Sequence, residues 1–113
     1  MTEPDPRDPK MRRVYIAGPI SGMPDLNFPA FNAAASRLLH LGFVVENPVA
    51  NWDAPDPTSR SWLDWMRMDL VRMSRVDWLF MLPGWQRSRG ATIEHRLASD
   101  LGLPIVYAEG AEP

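Results

Sequence analysis

Cysteine is absent from this 113-residue sequence, and histidine occurs only twice, as His40 and His95. A chain without cysteine has no disulfides, no thiolate metal ligands and no cysteine nucleophile. Two histidines are too few for a histidine-rich metal site. We therefore expect no metal ion and no other cofactor, and we expect both histidines to be solvent-facing or incidental.

Long apolar runs and a surplus of basic residues are also missing. No stretch approaches the roughly 18 apolar residues of a membrane span, and the acidic, proline-rich N-terminus does not resemble a secretory signal. The formal net charge is −2, from 12 basic and 14 acidic residues. This balance argues against binding to nucleic-acid phosphates. We expect a cytoplasmic protein that binds neither membrane nor nucleic acid.

The apolar residues that are present follow two alternating patterns. Short runs rich in apolar and β-branched residues predict four strands, at 12–17, 43–46, 76–82 and 104–108. Amphipathic stretches between them predict three helices, from Asn27 to about Leu41, from about 61 to 74, and from 88 to 102. We expect Asn27 to cap the first helix through its side chain, with Pro29 in the first turn. Ser61 and Asp64 have the spacing of a capping box.

This alternation predicts an α/β fold, a three-layer Rossmann- or flavodoxin-like sandwich with a four-stranded parallel sheet. The domain would span residues 12–108, between a disordered tail at 1–11 and a C-terminal tail at 109–113. Ligands of such sheets bind beyond the carboxyl ends of the strands. Those ends are the loops at 18–23, 47–52 and 83–88.

Two acids fall on helix faces that the apolar pattern predicts to be buried. Asp69 lies between Trp62 and Trp65 at the edge of an apolar stripe, and Glu94 lies among the alanines and leucines of the next helix. Burying an unpaired ionised carboxylate costs several kcal/mol or forces it to take up a proton. We infer that both acids act in the ligand crevice, and that the positive end of the helix dipole favours the ionised form of Glu94. The structural alternative satisfies Glu94 with loop backbone donors and pairs Asp69 with an arginine such as Arg72.

Other candidate residues have two interpretations each. Gly18 and Gly22 allow a close backbone approach to a phosphate or sugar, or simply form a tight turn. Ser88 is first a helix cap and second an anion-binding residue, and Asp77 fits a hydrogen-bonding anchor better than a catalyst. Three tryptophans are candidates for stacking on a planar base or for core or interface packing: Trp52, Trp62 and Trp65.

Four motifs in this order carry a family resemblance: VYIAGPISGM, a helix containing MDL, VDWLFMLPGW, and S-x-G-x-x-x-E. Together, over residues 13–108, they resemble the nucleoside 2-deoxyribosyltransferase-like superfamily. The likeness is in particular to its small bacterial and phage branch of undefined function, which is related to 2′-deoxynucleoside 5′-phosphate N-hydrolases. PGW followed by GATIE is also similar to the PGG-x-GT-x-x-E motif of phosphoribohydrolases, although the second glycine is missing and the spacing is longer.

The resemblance implies roles for individual residues. Glu94 would attack the anomeric carbon, and Asp69 would bind and protonate the leaving base. Tyr15 would lie near the sugar, Asp77 near the site, and Ser88 would hold a 5′-phosphate. Further residues of the matching motifs are assigned to substrate binding: Gly18, Ser21, Gly22 and Gly90.

The implied activity is cleavage of the N-glycosidic bond of a (deoxy)ribonucleoside or its 5′-monophosphate, by hydrolysis or base transfer. The phosphate-binding arginine of the nucleotide-hydrolysing relatives is absent from the first loop, where this chain has Pro19, Ile20 and Ser21. Arg87 and Arg89 are the available substitutes.

Relatives complete their site with a neighbouring subunit, so we expect a homodimer or higher homo-oligomer. The alternatives are a non-catalytic nucleotide-binding or sensing module and a purely structural or assembly protein.

Overall fold

Strands and helices alternate along the chain, of which the computed structural model describes residues 3–50 and 61–113. The main elements are β1 (Arg13–Ala17), α1 (Phe28–His40), β2 (Val44–Glu46), α2 (Trp62–Met73), β3 (Trp78–Met81), α3 (Arg89–Leu101) and β4 (Ile105–Tyr107). A short 3-10 helix covers Trp85–Arg87, and a turn with left-handed residues covers Pro24–Asn27. This order confirms the predicted alternation, with strands one to three residues shorter than expected. Trp52 lies outside the described residues.

The four strands form one parallel sheet in the order β2-β1-β3-β4. Alternate side chains of β1 point to opposite faces of this sheet. Val14 and Ile16 pack in a hydrophobic cluster with α1, whereas Tyr15 and Ala17 pack in a second cluster with α2 and α3. The fold is therefore the predicted three-layer α/β sandwich, with one helix on one face and two on the other.

The helix ends that bear on the site follow the predicted capping signals. Ser61 Oγ accepts a hydrogen bond from the Asp64 amide, and the Asp64 side chain accepts one from the Ser61 amide, so the capping box is confirmed. Ser88 Oγ accepts a hydrogen bond from the Ala91 amide at the start of α3. α3 ends at Gly102, whose φ of 77° is a conformation that favours glycine.

The predicted side-chain cap at Asn27 is wrong. Asn27 has a φ of 60° and no capping hydrogen bond, because the chain enters α1 through left-handed residues at Asp25 and Leu26. The Asn27 side chain instead donates to the backbone oxygen of Pro19 at 2.9 Å. This hydrogen bond connects the start of α1 to the loop that follows β1.

Residues 5–11, within the tail at 1–11 predicted to be disordered, form two consecutive turns. The Asp8 amide donates to the Asp5 oxygen, and the Met11 amide donates to the Asp8 oxygen. Trp78 Nε1 donates to the Met11 oxygen at 2.9 Å, which fastens this segment to the amino end of the sheet. None of the helices in the described ranges is long and apolar enough to cross a membrane.

Candidate functional site

A cavity of about 570 Å³ opens at the carboxyl end of the sheet. Its wall is formed by the loop after β1, the inner side of α2 and the start of α3. This is the place where parallel sheets bind ligands. The cavity brings together seven of the nine predicted site residues: Gly18, Ser21, Gly22, Asp69, Ser88, Gly90 and Glu94.

Glu94 is a buried acid on the wall of this cavity. It is only 4% exposed and is the one charged side chain of the described ranges in the buried class. Tyr15, which is 1% exposed, donates its hydroxyl to Glu94 Oε2 at 2.5 Å. The predicted inward orientation of Glu94 is confirmed, and a side chain of β1, not a loop backbone, supplies its hydrogen bond.

Burial sets the protonation state of Glu94. Loss of water raises the pKa of its carboxyl from 4.5 to about 8, because the charged form is poorly solvated there. The Tyr15 hydrogen bond lowers the pKa, and the negative charge of Asp69 raises it further. Burial therefore favours the protonated form of Glu94, not the ionised form that its place near the start of the helix led us to expect.

Asp69 lies on the opposite wall of the same cavity, on α2. Arg72 Nη1 lies 3.1 Å from Asp69 Oδ1, and the two side chains are 14% and 15% exposed. Burial raises the pKa of Asp69 to about 6, although the positive charge of Arg72 lowers it. The ion pair of the structural alternative is thus present, yet Asp69 still borders the cavity and carries a raised pKa.

The two acids interact electrostatically, since the charge of Asp69 raises the pKa of Glu94. Coupled carboxyls titrate as a pair. Between about pH 6 and about pH 8 the pair therefore holds one proton, mostly on Glu94. Such a pair contains one proton donor and one carboxylate at neutral pH.

The glycines of the site are required for different reasons. A side chain at Gly18 would place its Cβ 2.8 Å from Leu82 Cβ, so this residue allows the first loop to pack closely on the end of β3. Gly90 has a similar reason, because its Cβ would lie 3.1 Å from Met66 Sδ on α2. Gly22 has a φ of 79°, and a Cβ added there would meet nothing within 4 Å, so only its backbone conformation requires glycine.

Two cationic side chains flank the start of α3. Arg87 and Arg89 line the cavity on either side of Ser88, and neither forms a salt bridge with a residue of the described ranges. The Arg89 guanidinium carbon lies 4.0 Å from the ring centroid of Trp62, which also lines the cavity. This corner of the cavity is positively charged and carries an aromatic surface.

Asp77 does not belong to the site. Its carboxylate accepts a hydrogen bond from the Arg13 amide at 2.8 Å, and its own amide donates to the Arg13 oxygen. It therefore anchors the amino end of β3 to β1, at the end of the sheet opposite the cavity. The position near the site that the resemblance implies for Asp77 is therefore wrong, whereas its interpretation as a hydrogen-bonding anchor is confirmed.

A cluster of aromatic rings that the sequence did not predict lies beside the site. His95, expected to be incidental, stacks on Trp85 with ring centroids 4.1 Å apart and shares a 2.7 Å hydrogen bond with the Tyr107 hydroxyl. Burial lowers the pKa of His95. The apolar pattern of α3 gives no signal for this contact, because Trp85 and Tyr107 come from other parts of the chain.

Comparison with known proteins gives one finding about the family. Residues 12–107 match the family model described as "Domain of unknown function (DUF4406)". That match covers the four strands and three helices described above and all the residues that line the cavity. A search of curated proteins finds no match.

Proposed function

The chain belongs to the DUF4406 family, whose function is unknown, and from its site we propose that it cleaves the N-glycosidic bond of a (deoxy)ribonucleoside or its 5′-monophosphate. The observation that carries this proposal is Glu94, a nearly dry carboxyl on the wall of a cavity of about 570 Å³. That volume lies within the range of small-molecule sites. A second acid, Asp69, faces the same cavity.

In the proposed reaction, a carboxylate oxygen of Glu94 attacks the anomeric carbon while the bond from that carbon to the base nitrogen breaks. The electron pair of the broken bond goes to the base, and the proton of Asp69 neutralises it. Tyr15 holds Glu94 Oε2, which leaves Oε1 for the sugar. Water, deprotonated by Asp69, or a second base then attacks the ester and releases Glu94.

This mechanism uses the less populated of the two positions of the proton that Glu94 and Asp69 share. The reactive form has Glu94 ionised and Asp69 protonated, whereas the pKa values of about 8 and about 6 favour the reverse. Both arrangements contain the same number of protons, so the pH profile reports the singly protonated pair as a whole.

We expect kcat/KM to follow a bell-shaped pH profile with limbs near 6 and 8. Asp69→Asn removes the proton donor, so kcat falls by about 100-fold. The profile of the variant becomes a single rising limb, because only ionisation of Glu94 remains. Initial rates of base release from about pH 5 to about pH 9 measure this. A falling limb that persists in Asp69→Asn would contradict the role of Asp69 as the acid.

The charged corner supports a 5′-monophosphate as substrate. Arg87, Ser88 and Arg89 line one end of the cavity. A helix N-terminus flanked by two guanidinium groups that form no salt bridge within the described ranges favours an anion. Ser88 Oγ already accepts the Ala91 amide, and a hydroxyl that accepts one hydrogen bond can still donate its hydrogen to a phosphate oxygen.

We expect Arg87→Ala and Arg89→Ala each to raise KM for nucleoside 5′-monophosphates by roughly tenfold, since each removes a charged contact to phosphate. KM for the unphosphorylated nucleosides stays within about twofold. Arg67→Ala is the control, because Arg67 is exposed on α2 and pairs with Asp64. Equal losses for nucleosides and monophosphates would show that these arginines do not bind the phosphate.

The direct test is incubation with a panel of nucleosides and their 5′-monophosphates, followed by chromatography for free base. Release of a base by the wild-type protein supports the proposal. The second candidate is a nucleotide-binding or sensing module, favoured by the raised pKa of Glu94, which keeps it mainly protonated at neutral pH. Calorimetric binding of a nucleotide without release of base over several days would favour that candidate.

We also propose that the protein self-associates through α2 and α3. Large apolar side chains on these helices are exposed, among them Leu63, Val71, Ile93, Leu97 and Leu101. Three of them, Ile93, Leu97 and Leu101, recur every four residues and so share one face of α3, and exposed apolar surface on one face can mark an interaction site. We expect size-exclusion chromatography with light scattering to give a dimer or larger, and Leu97→Glu to shift the mass towards the monomer. A monomeric wild type would contradict the proposal.

A further inference from the structure

The last residues of the chain fold back onto the loop that precedes α3. Trp85 Nε1 and Gln86 Nε2 both donate to the backbone oxygen of Glu112, at 2.7 Å and 2.9 Å. The Ala111 amide donates to the Ala108 oxygen at 2.8 Å, and Ala111 packs against the hydrophobic cluster that contains Trp85. We call residues 108–112 the C-terminal brace.

Trp85 connects this brace to α3. Trp85 is 7% exposed, and its ring stacks on His95 with centroids 4.1 Å apart and an interplanar angle of 17°. His95 is the residue after Glu94, and its hydrogen bond to Tyr107 holds the stack to β4. The brace therefore contacts, through one indole ring, the turn of α3 that carries the buried acid.

The same loop forms part of the cavity wall. The Arg87 amide donates to the Gly84 oxygen at 3.1 Å, and the Ser88 amide donates to the Trp85 oxygen at 3.0 Å. Arg87 and Ser88 both line the cavity. A 3-10 turn of three residues has poor hydrogen-bond geometry and is not stable alone. Its shape must come from neighbouring contacts, of which the brace supplies two hydrogen bonds.

We propose that the C-terminal brace is a positioning device for the site: by holding Trp85 and Gln86 through the Glu112 oxygen, it fixes Arg87 and Ser88 at the cavity and the start of α3 beside them. Trp85 and Gln86 are then positioning residues that need not touch a ligand. That this positioning matters for catalysis rests on the proposed function. The contacts from the brace to the cavity wall do not depend on it.

The test is amide hydrogen exchange measured by NMR on the full chain without ligand. Trp85→Phe combined with Gln86→Ala removes both donors to Glu112 and keeps an aromatic ring against His95. We expect exchange at Ala111, Arg87 and Ser88 to become about tenfold faster, because two hydrogen bonds that each contribute modestly to stability are lost. Trp78→Phe is the matched control, because it removes an equivalent indole donor, to the Met11 oxygen, at the other end of the sheet.

A second measurement distinguishes a specific effect on the start of α3 from a general loss of stability. If the brace holds the start of α3 against water, titration of the Glu94 carboxyl by NMR gives a lower pKa in the double variant than in wild type. The pKa is unchanged in Trp78→Phe, even where the two variants have similar melting temperatures. Should the double variant fail to fold, Gln86→Ala alone, at an exposed position, is expected to speed exchange at Arg87 and Ser88 by about threefold.

Faster exchange at Ala111 with unchanged exchange at Arg87 and Ser88 would overturn the proposal, because the brace would then be attached without positioning anything. An equal increase in Trp78→Phe would also overturn it. Failure of the proposed function is a different result, since it would appear as absent base release in a protein whose exchange pattern still depends on the brace.

Discussion

Glu94→Gln is expected to lower kcat for base release by about 10⁴-fold or more, because the amide has no negative oxygen with which to trap or stabilise the sugar cation. The variant should fold, since an amide has nearly the shape of the protonated carboxyl that the buried site favours. Its carbonyl oxygen can still accept the Tyr15 hydroxyl. KM should change by much less than kcat, because ground-state contacts remain.

The measurement is the initial rate of base release, by chromatography, from the best substrate of the panel. Asp100→Asn provides the matched control: it makes the same acid-to-amide change on an exposed face of α3 and should retain full activity. Undiminished release by Glu94→Gln would remove Glu94 from the role of nucleophile. Glu94→Ala distinguishes the two outcomes further, because added azide or formate can enter the vacated space and restore turnover only if the nucleophile is what was lost.

The second large effect concerns stability against pH. The pKa of Glu94 rises from 4.5 to about 8 on folding, so the folded protein binds an extra proton between those values. Stability therefore falls as pH rises through that window, and the shift corresponds to roughly 5 kcal/mol once Glu94 is ionised. The pKa of Asp69, raised from 3.8 to about 6, acts in the same direction over a lower range.

Urea denaturation of wild type and Glu94→Gln at about pH 5 and about pH 9 checks this prediction. We expect the two proteins to differ little at the lower pH. At the higher pH the variant should be more stable by several kcal/mol, because glutamine carries no charge into the interior. A difference that is the same at both values would mean that Glu94 titrates normally and is not desolvated.

The sequence predicted the parts of this structure that depend on local patterns. The strand and helix order followed from apolar periodicity, and the caps at Ser61 and Ser88 followed from local chemistry. The inward position of Asp69 and Glu94 followed from helix geometry alone. The cavity could be placed as well, because the carboxyl ends of parallel strands share one edge.

Features that depend on distant neighbours were not predictable. The ionisation of Glu94 is decided by how completely Tyr15, α2 and the first loop exclude water, and no local pattern encodes that balance. His95 acquires its partners only when Trp85 and Tyr107 meet in the fold. Asp77 was misplaced by the family resemblance, whereas its position at the beginning of a strand indicated the anchor that it forms.

The burial of Tyr15 and Glu94 in the centre of the molecule has a consequence for laboratory evolution. β1 is an interior strand of the sheet, and Tyr15 lies between it and the helices that cover it. An acid there makes the folded chain more sensitive to alkali, so a screen for heat resistance alone would enrich neutral residues at position 94. Selection for stability and selection for the proposed activity would therefore favour different residues at position 94.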